Sequence, residues 1–239
     1  MNFIPLLSTF VTFGFAAAVL RRYQLRRGSH LLMWTIGLAL YGLGTLAEVI
    51  LSLRFHASVL KIWYLTGAML TAAWLGQGTV HLLVRKGRTA WALTAGLGVV
   101  SLIGLVLVAL APITSAAASF STSLPVSTQY KDILVRSGGI TALTIILNIY
   151  GTITMVGGAI YSAYLFWRKQ VLLQRVVGNI LIAAGALFPA MAGSFVKAGL
   201  VDGLYISELL GAIFMFIGFI NATTSPAKQP AAVEPNLAS

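Results

Sequence analysis

Two carboxylates, Glu48 and Glu208, stand inside long stretches that are otherwise free of charge. A charged side chain in hydrocarbon is costly, and by default it faces the interior of a helical bundle, where it marks an ion, proton or ligand route. At helical spacing Glu48 shares a stripe with Trp34, Gly37, Tyr41 and Gly44, while the Glu208 stripe continues through Gly211, Met215 and Gly218. Two more stripes carry polar groups: Tyr64, Gly67, Thr71, Trp74 and Gly78, with Gln77 beside them, and Thr141, Thr144, Asn148 and Thr152. From these, Glu48, Glu208, Tyr41, Tyr64 and Asn148 form the candidate ligand-binding set, able to line an outward-facing cavity. A carboxyl group buried without a cation can carry a proton. The same acids also have a structural reading, in which each pairs with Arg54, Lys61 or Lys197 and clamps two helices together. Small polar helix faces suit close packing as well as ligand contact.

Other chemistry is thinly represented. There is no HExxH, no nucleophile elbow and no buried Ser–His–Asp set, so the expectation is a non-catalytic protein. His30 and His81 fall near one membrane face, beside basic loops, and read as interfacial groups; His56 reads as a solvated loop residue. No third ligand type accompanies them, so no metal site is expected. A retinal Schiff base needs a lysine at mid-depth in the last apolar stretch, and none is there. The Gly76–Gly78 and Gly96–Gly98 pairs lack the strand–turn–helix context of a phosphate loop. The sequence names no cofactor. The absence of cysteine excludes disulfides and thiolate metal sites.

Positioning these residues requires a membrane. The chain has 239 residues, 58% hydrophobic and 9% charged, and a mean hydropathy of +0.91. An ordinary soluble domain has about a quarter of its residues charged. Apolar windows fall at 2–20, 31–53, 59–84, 90–113, 138–167, 176–196 and 203–222. A bilayer core demands roughly 20 residues, and the windows at 59–84 and 138–167 exceed that, so tilt or protruding ends are expected there. They must be helices, because a lipid-exposed backbone has to satisfy its own hydrogen bonds. The expected fold is therefore all-α, a polytopic seven-helix transmembrane domain over 1–222, followed by a flexible polar tail at 223–239.

The net charge of +11 belongs to topology rather than to nucleic acid. Arg21, Arg22, Arg26, Arg27, Arg85, Lys86, Arg88, Arg168, Lys169, Arg175 and Lys228 lie on one side; Arg54, Lys61, Lys131, Arg136 and Lys197 lie on the other. Excess Lys and Arg mark the cytoplasmic face. The N-terminus is then outside and the C-terminal tail cytoplasmic. The first window has its cations after the apolar run rather than before it, the pattern of an N-out helix and not of a cleaved signal. The long outer loop, 114–137, reads as a solvated connector that caps the bundle. Pro189 should kink the sixth span by removing a backbone hydrogen bond. Segments 64–79 and 208–223 match at an offset of 144 residues, and a parallel three-plus-one-plus-three duplication would explain it.

One stretch carries a family likeness. The run from Arg26 to Leu70 has a basic start, Trp34 and Gly37 ahead of Glu48, and then the aromatic pair Trp63 and Tyr64. In this it resembles the seven-helix membrane sensor region that precedes some bacterial histidine kinases, although no kinase follows here. The resemblance implies a multi-pass protein of a bacterial inner membrane, acting as a sensor-like or accessory subunit. Its expected partners are the lipid bilayer and either a small or lipophilic ligand or a protein. The alternative expectation is a small proton- or cation-coupled transporter built from parallel three-helix repeats.

Overall fold

The computed structural model describes residues 3–84, 87–169, 173–197 and 203–223. Arg85, Lys86, Lys228 and the expected tail beyond Thr223 lie outside them, as does the side chain of Lys197. Seven long helices follow in order: α1 (Ile4–Arg26), α2 (Ser29–Leu53), α3 (Ala57–Leu83), α4 (Gly87–Leu110), then α6 (Gly138–Arg168), α7 (Leu173–Lys197) and α8 (Gly203–Thr223). A short helix, α5 (Val126–Ile133), interrupts the series. Among the described residues the only β pairing is one bridge between Ile113 and Leu134. The protein is thus all-α. Six helices, all the long ones except α7, are long and apolar enough to cross a membrane, as in a multi-pass membrane protein; α7 contributes a shorter apolar stretch, Leu173–Pro189.

Local sequence sets the boundaries. Pro5 occupies the first turn of α1, where its missing N–H costs nothing. The helix runs past residue 20, through Arg21 and Arg22, and stops where Arg27 adopts a left-handed conformation (φ 51°) and donates its N–H to the Tyr23 carbonyl. The Ser137 hydroxyl caps α6 by accepting from Ile140 N–H. In the segment 114–137 the structure departs from a solvated connector. Val126 and Ile133, one on each end of α5, are buried, and Tyr130 packs on Trp63 and Tyr64 with ring centroids 5.2 and 5.6 Å away. The eight residues of α5 alternate apolar and polar at helical spacing, so they fold back onto the bundle.

Packing closes a ring. Each helix in the series α1, α2, α3, α6, α7, α8 contacts the next, and α8 returns to α1. Helix α4 stays outside the ring, against α3 and α6, and exposes Trp91, Leu102, Val106 and Leu110. Two glycine crossings draw the ring tight. A methyl group built on Gly44 of α2 would stand 2.8 Å from Gly67 Cα on α3; one built on Gly211 of α8 would stand 2.8 Å from the Gly185 carbonyl oxygen on α7. Close approach of this kind is how membrane helices gain contact without a hydrophobic driving force. Gly67 and Gly211 are equivalent under the 144-residue offset, and each lies at a helix crossing. The likeness ends there, since α3 is π-helical over Tyr64–Leu70 whereas α8 is regularly α-helical over 208–214.

Candidate functional site

The ring encloses a cavity of about 600 Å³. Tyr41, Gly44, Thr45 and Glu48 line it from α2; Trp63, Gly67, Ala68, Thr71, Ala72 and Leu75 from α3; Ser127, Tyr130 and Lys131 from α5. The remaining walls are Asn148, Gly151, Thr152, Met155 and Val156 of α6, Ala186 and Pro189 of α7, and Glu208 and Met215 of α8.

Glu48 sits at this cavity with 1% of its surface exposed. Its Oε1 accepts a hydrogen bond of 2.8 Å from Trp63 Nε1. Its Oε2 is buried and has no donor, and the same is true of Glu208 Oε2. The two carboxyl groups face the same cavity from α2 and α8. Ionised carboxylates only accept, so two of them cannot satisfy one another; one proton held between them does. Tyr41 completes the joint by donating its hydroxyl to the Glu208 backbone carbonyl at 2.8 Å.

Among the described residues no cation clamps these acids, and the side chain of Lys197, the third candidate, lies outside them. Lys61 donates instead to the Ala109 carbonyl at 2.7 Å, in the last turn of α4, where free carbonyls favour a cation. Arg54 is exposed, and among the described residues no Lys or Arg bonds to either carboxylate. Lys131 does line the cavity, at an exposed position on α5. Arg136 lies with its guanidinium 5.1 Å from the centre of the Tyr130 ring, its Nε buried and without a partner. Burial lifts the Tyr130 phenol above its ordinary range, and the Arg136 charge pulls the other way.

Backbone irregularities gather at the same place. The π-helical turns at Tyr64–Leu70 and Ile153–Gly157 both contribute lining residues. Such turns are rare, often sit at functional sites, and leave carbonyls out of register. Side chains take up the slack: Thr71 Oγ1 donates to the Thr66 carbonyl at 2.7 Å, and Asn148 Nδ2 to the Ala68 carbonyl at 2.8 Å. On α7, Pro189 removes the bond that the Gly185 carbonyl would accept. That carbonyl and the proline ring together form the notch that admits Gly211, one turn from Glu208.

Of the five residues expected at the site, Tyr41, Glu48, Asn148 and Glu208 meet on the cavity. Tyr64 does not; it is 1% exposed, behind the wall, and its hydroxyl bonds Thr144 Oγ1 at 3.0 Å. Trp63, which the helical stripes did not select, takes its place. His81 is partly exposed near the end of α3, and its ring nitrogens bond Ser29 Oγ at 3.1 Å and Thr94 Oγ1 at 2.7 Å. Among the described residues no three His, Cys, Asp or Glu side chains converge to hold a metal. Comparison with protein families, with curated proteins and with solved structures finds no match for this chain.

Proposed function

We propose that this chain is a non-catalytic, seven-span protein of a bacterial inner membrane that binds a small ligand in the cavity between α2, α3, α6, α7 and α8, acting as a sensor-like or accessory subunit. The observation that carries the reading is the Glu48 carboxylate, 1% exposed, with one oxygen lacking any donor at the wall of a cavity of about 600 Å³. A polar group buried without a partner costs roughly 1–3 kcal/mol, more if charged, and a chain that retains one is keeping it for something. The charge tally supports an outer N-terminus and a cytoplasmic C-terminus, with α7 as the seventh span. In that orientation Glu48, near the end of α2, and Glu208, near the start of α8, lie in the outer half. The likeness of 26–70 to kinase sensor regions favours signalling to a partner protein.

A second reading, a proton- or cation-coupled transporter, has an observation of its own. Pro189 and the two π-helical turns place a possible joint in three of the helices around the acids. Access separates the two. The chain has no cysteine, so Thr152→Cys puts a single thiol on the cavity wall. Oriented vesicles are treated with a membrane-impermeant thiosulfonate from one side and then the other. A receptor-like cavity reacts from the outer side alone. Reaction from both sides establishes the transporter, and no reaction from either side overturns the cavity as a ligand site.

A further inference from the structure

We infer that the cavity receives a singly charged organic cation, whose ammonium group sits against Glu48 and Glu208 and whose body lies along the apolar wall. The inference rests on the reading of the cavity as a ligand site and adds the chemistry of the ligand. Two carboxyl groups on one cavity wall, each with an oxygen that has no donor, carry a single negative charge when they hold one proton between them. One ammonium group supplies both the missing charge and the missing donors. Trp63 has its N–H committed to Glu48 and leaves an aromatic ring beside the acid, a surface that favours organic cations.

Size and lining exclude the simpler occupants. A cavity of about 600 Å³ is in the range of small-molecule sites and far exceeds a bare ion. A hard metal cation wants six or more oxygens at close range, and among the described residues no third acid or histidine joins the two carboxyls, whose cavity neighbours are hydroxyls such as Thr45 and Thr71 and apolar groups such as Leu75 and Met215. An anionic ligand meets the acids head-on. Lys131 at the exposed edge carries the opposite sign and contacts neither acid, so the inner pair keeps its charge for the ligand.

The test uses the full chain carrying Thr152→Cys, in detergent, with neutral methyl methanethiosulfonate as the reporter. 2-Phenylethylamine, cationic at neutral pH, competes against 2-phenylethanol, its uncharged counterpart. Protection by the amine should follow 1 + [amine]/Kd, reaching about fivefold at about four times Kd. The alcohol should not protect. Glu48→Gln keeps an acceptor for Trp63 and should weaken the amine about tenfold or more, as should Glu208→Gln. Equal protection by alcohol and amine, or none by either while the thiol still reacts, overturns the cation and leaves the cavity standing. A thiol that never reacts removes the underlying reading as well.

Discussion

Gln77 and Glu48 are both almost wholly buried, at 0% and 1% exposure, and both belong to polar clusters that join α3 to its neighbours. Gln77 has every group engaged. Its Oε1 accepts from the Tyr150 hydroxyl, and its Nε2 donates to the Ala90 carbonyl at 3.0 Å and to Thr94 Oγ1 at 2.8 Å. Thr94 in turn bonds the Ala90 carbonyl and His81, and His81 reaches Ser29. This network ties α2, α3, α4 and α6 together and leaves nothing over. The Glu48–Glu208 pair joins α2 to α8, borrows one donor from Trp63, and leaves an oxygen on each acid without one. Saturated polar groups rigidify a bundle, whereas partly satisfied ones cost stability and persist where function needs them. The first cluster is a fastening, and the second is the one on which the proposed ligand site rests.

Removing the fastening should have the largest effect. Gln77→Leu keeps the volume but deletes three hydrogen bonds and strands the Tyr150 hydroxyl. Hydrogen bonds between membrane helices are worth about 0.6 kcal/mol each on average, so the variant should lose about 2 kcal/mol. The unfolding temperature of the full chain in detergent reads it, and α4 should be the first helix to become accessible to protease. A variant as stable as the wild type would erase the distinction between the clusters.

Glu208→Gln should move stability the other way, and less. The amide supplies a permanent donor to the orphaned Glu48 oxygen, a gain of about 1 kcal/mol. The expected order of unfolding temperatures is Glu208→Gln above wild type above Gln77→Leu. If Glu208→Gln is instead strongly destabilising, the pair is a structural lock. An acid that costs stability in place, and whose removal helps, is what a ligand site requires.

The same contrast explains what the sequence reveals and what it conceals. Hydropathy exposes Glu48 and Glu208, because a charge in an apolar stretch is visible one residue at a time. Helical spacing then brings in Tyr41, which stays on the Glu48 face because α2 is regular. On α3 the spacing argument fails. It selects Tyr64, Gly67, Thr71 and Trp74, whereas the cavity is lined by Trp63, Gly67, Ala68, Thr71, Ala72 and Leu75. The π-helical turn inserts a wide loop of backbone and rotates the residues before it relative to those after it. Trp63 swings inward, Tyr64 turns to Thr144, and Trp74 points out to Ser101 of α4. No local pattern announces that turn, which depends on the Asn148 amide of another helix to satisfy the Ala68 carbonyl. The loss of the Lys61 clamp has a similar origin, since the carbonyl that takes Lys61 belongs to a helix end 48 residues away.

The smallest effect concerns the roof, where the cavity meets α5. Tyr130 lies against Trp63 and Tyr64 and under the Arg136 guanidinium, with its phenol raised above the ordinary value by burial. A raised folded-state value for an acid means that the packed form prefers the neutral phenol. Its contribution is complete below the unfolded value, near 10, and declines as pH rises through the folded one. The seat of α5 on the bundle should therefore hold unchanged through neutral pH and loosen only in strong alkali. The difference in absorbance near 295 nm between the wild type and Tyr130→Phe should show a phenol titrating later than free tyrosine. Tyr130→Phe keeps both ring contacts and should leave the unfolding free energy at neutral pH within about 0.5 kcal/mol of the wild type, the usual range for a change that opens no cavity and strands no partner. A phenol that titrates early would mean that α5 is detached from Trp63, and the saturated and unsaturated clusters would then no longer share a rigid frame.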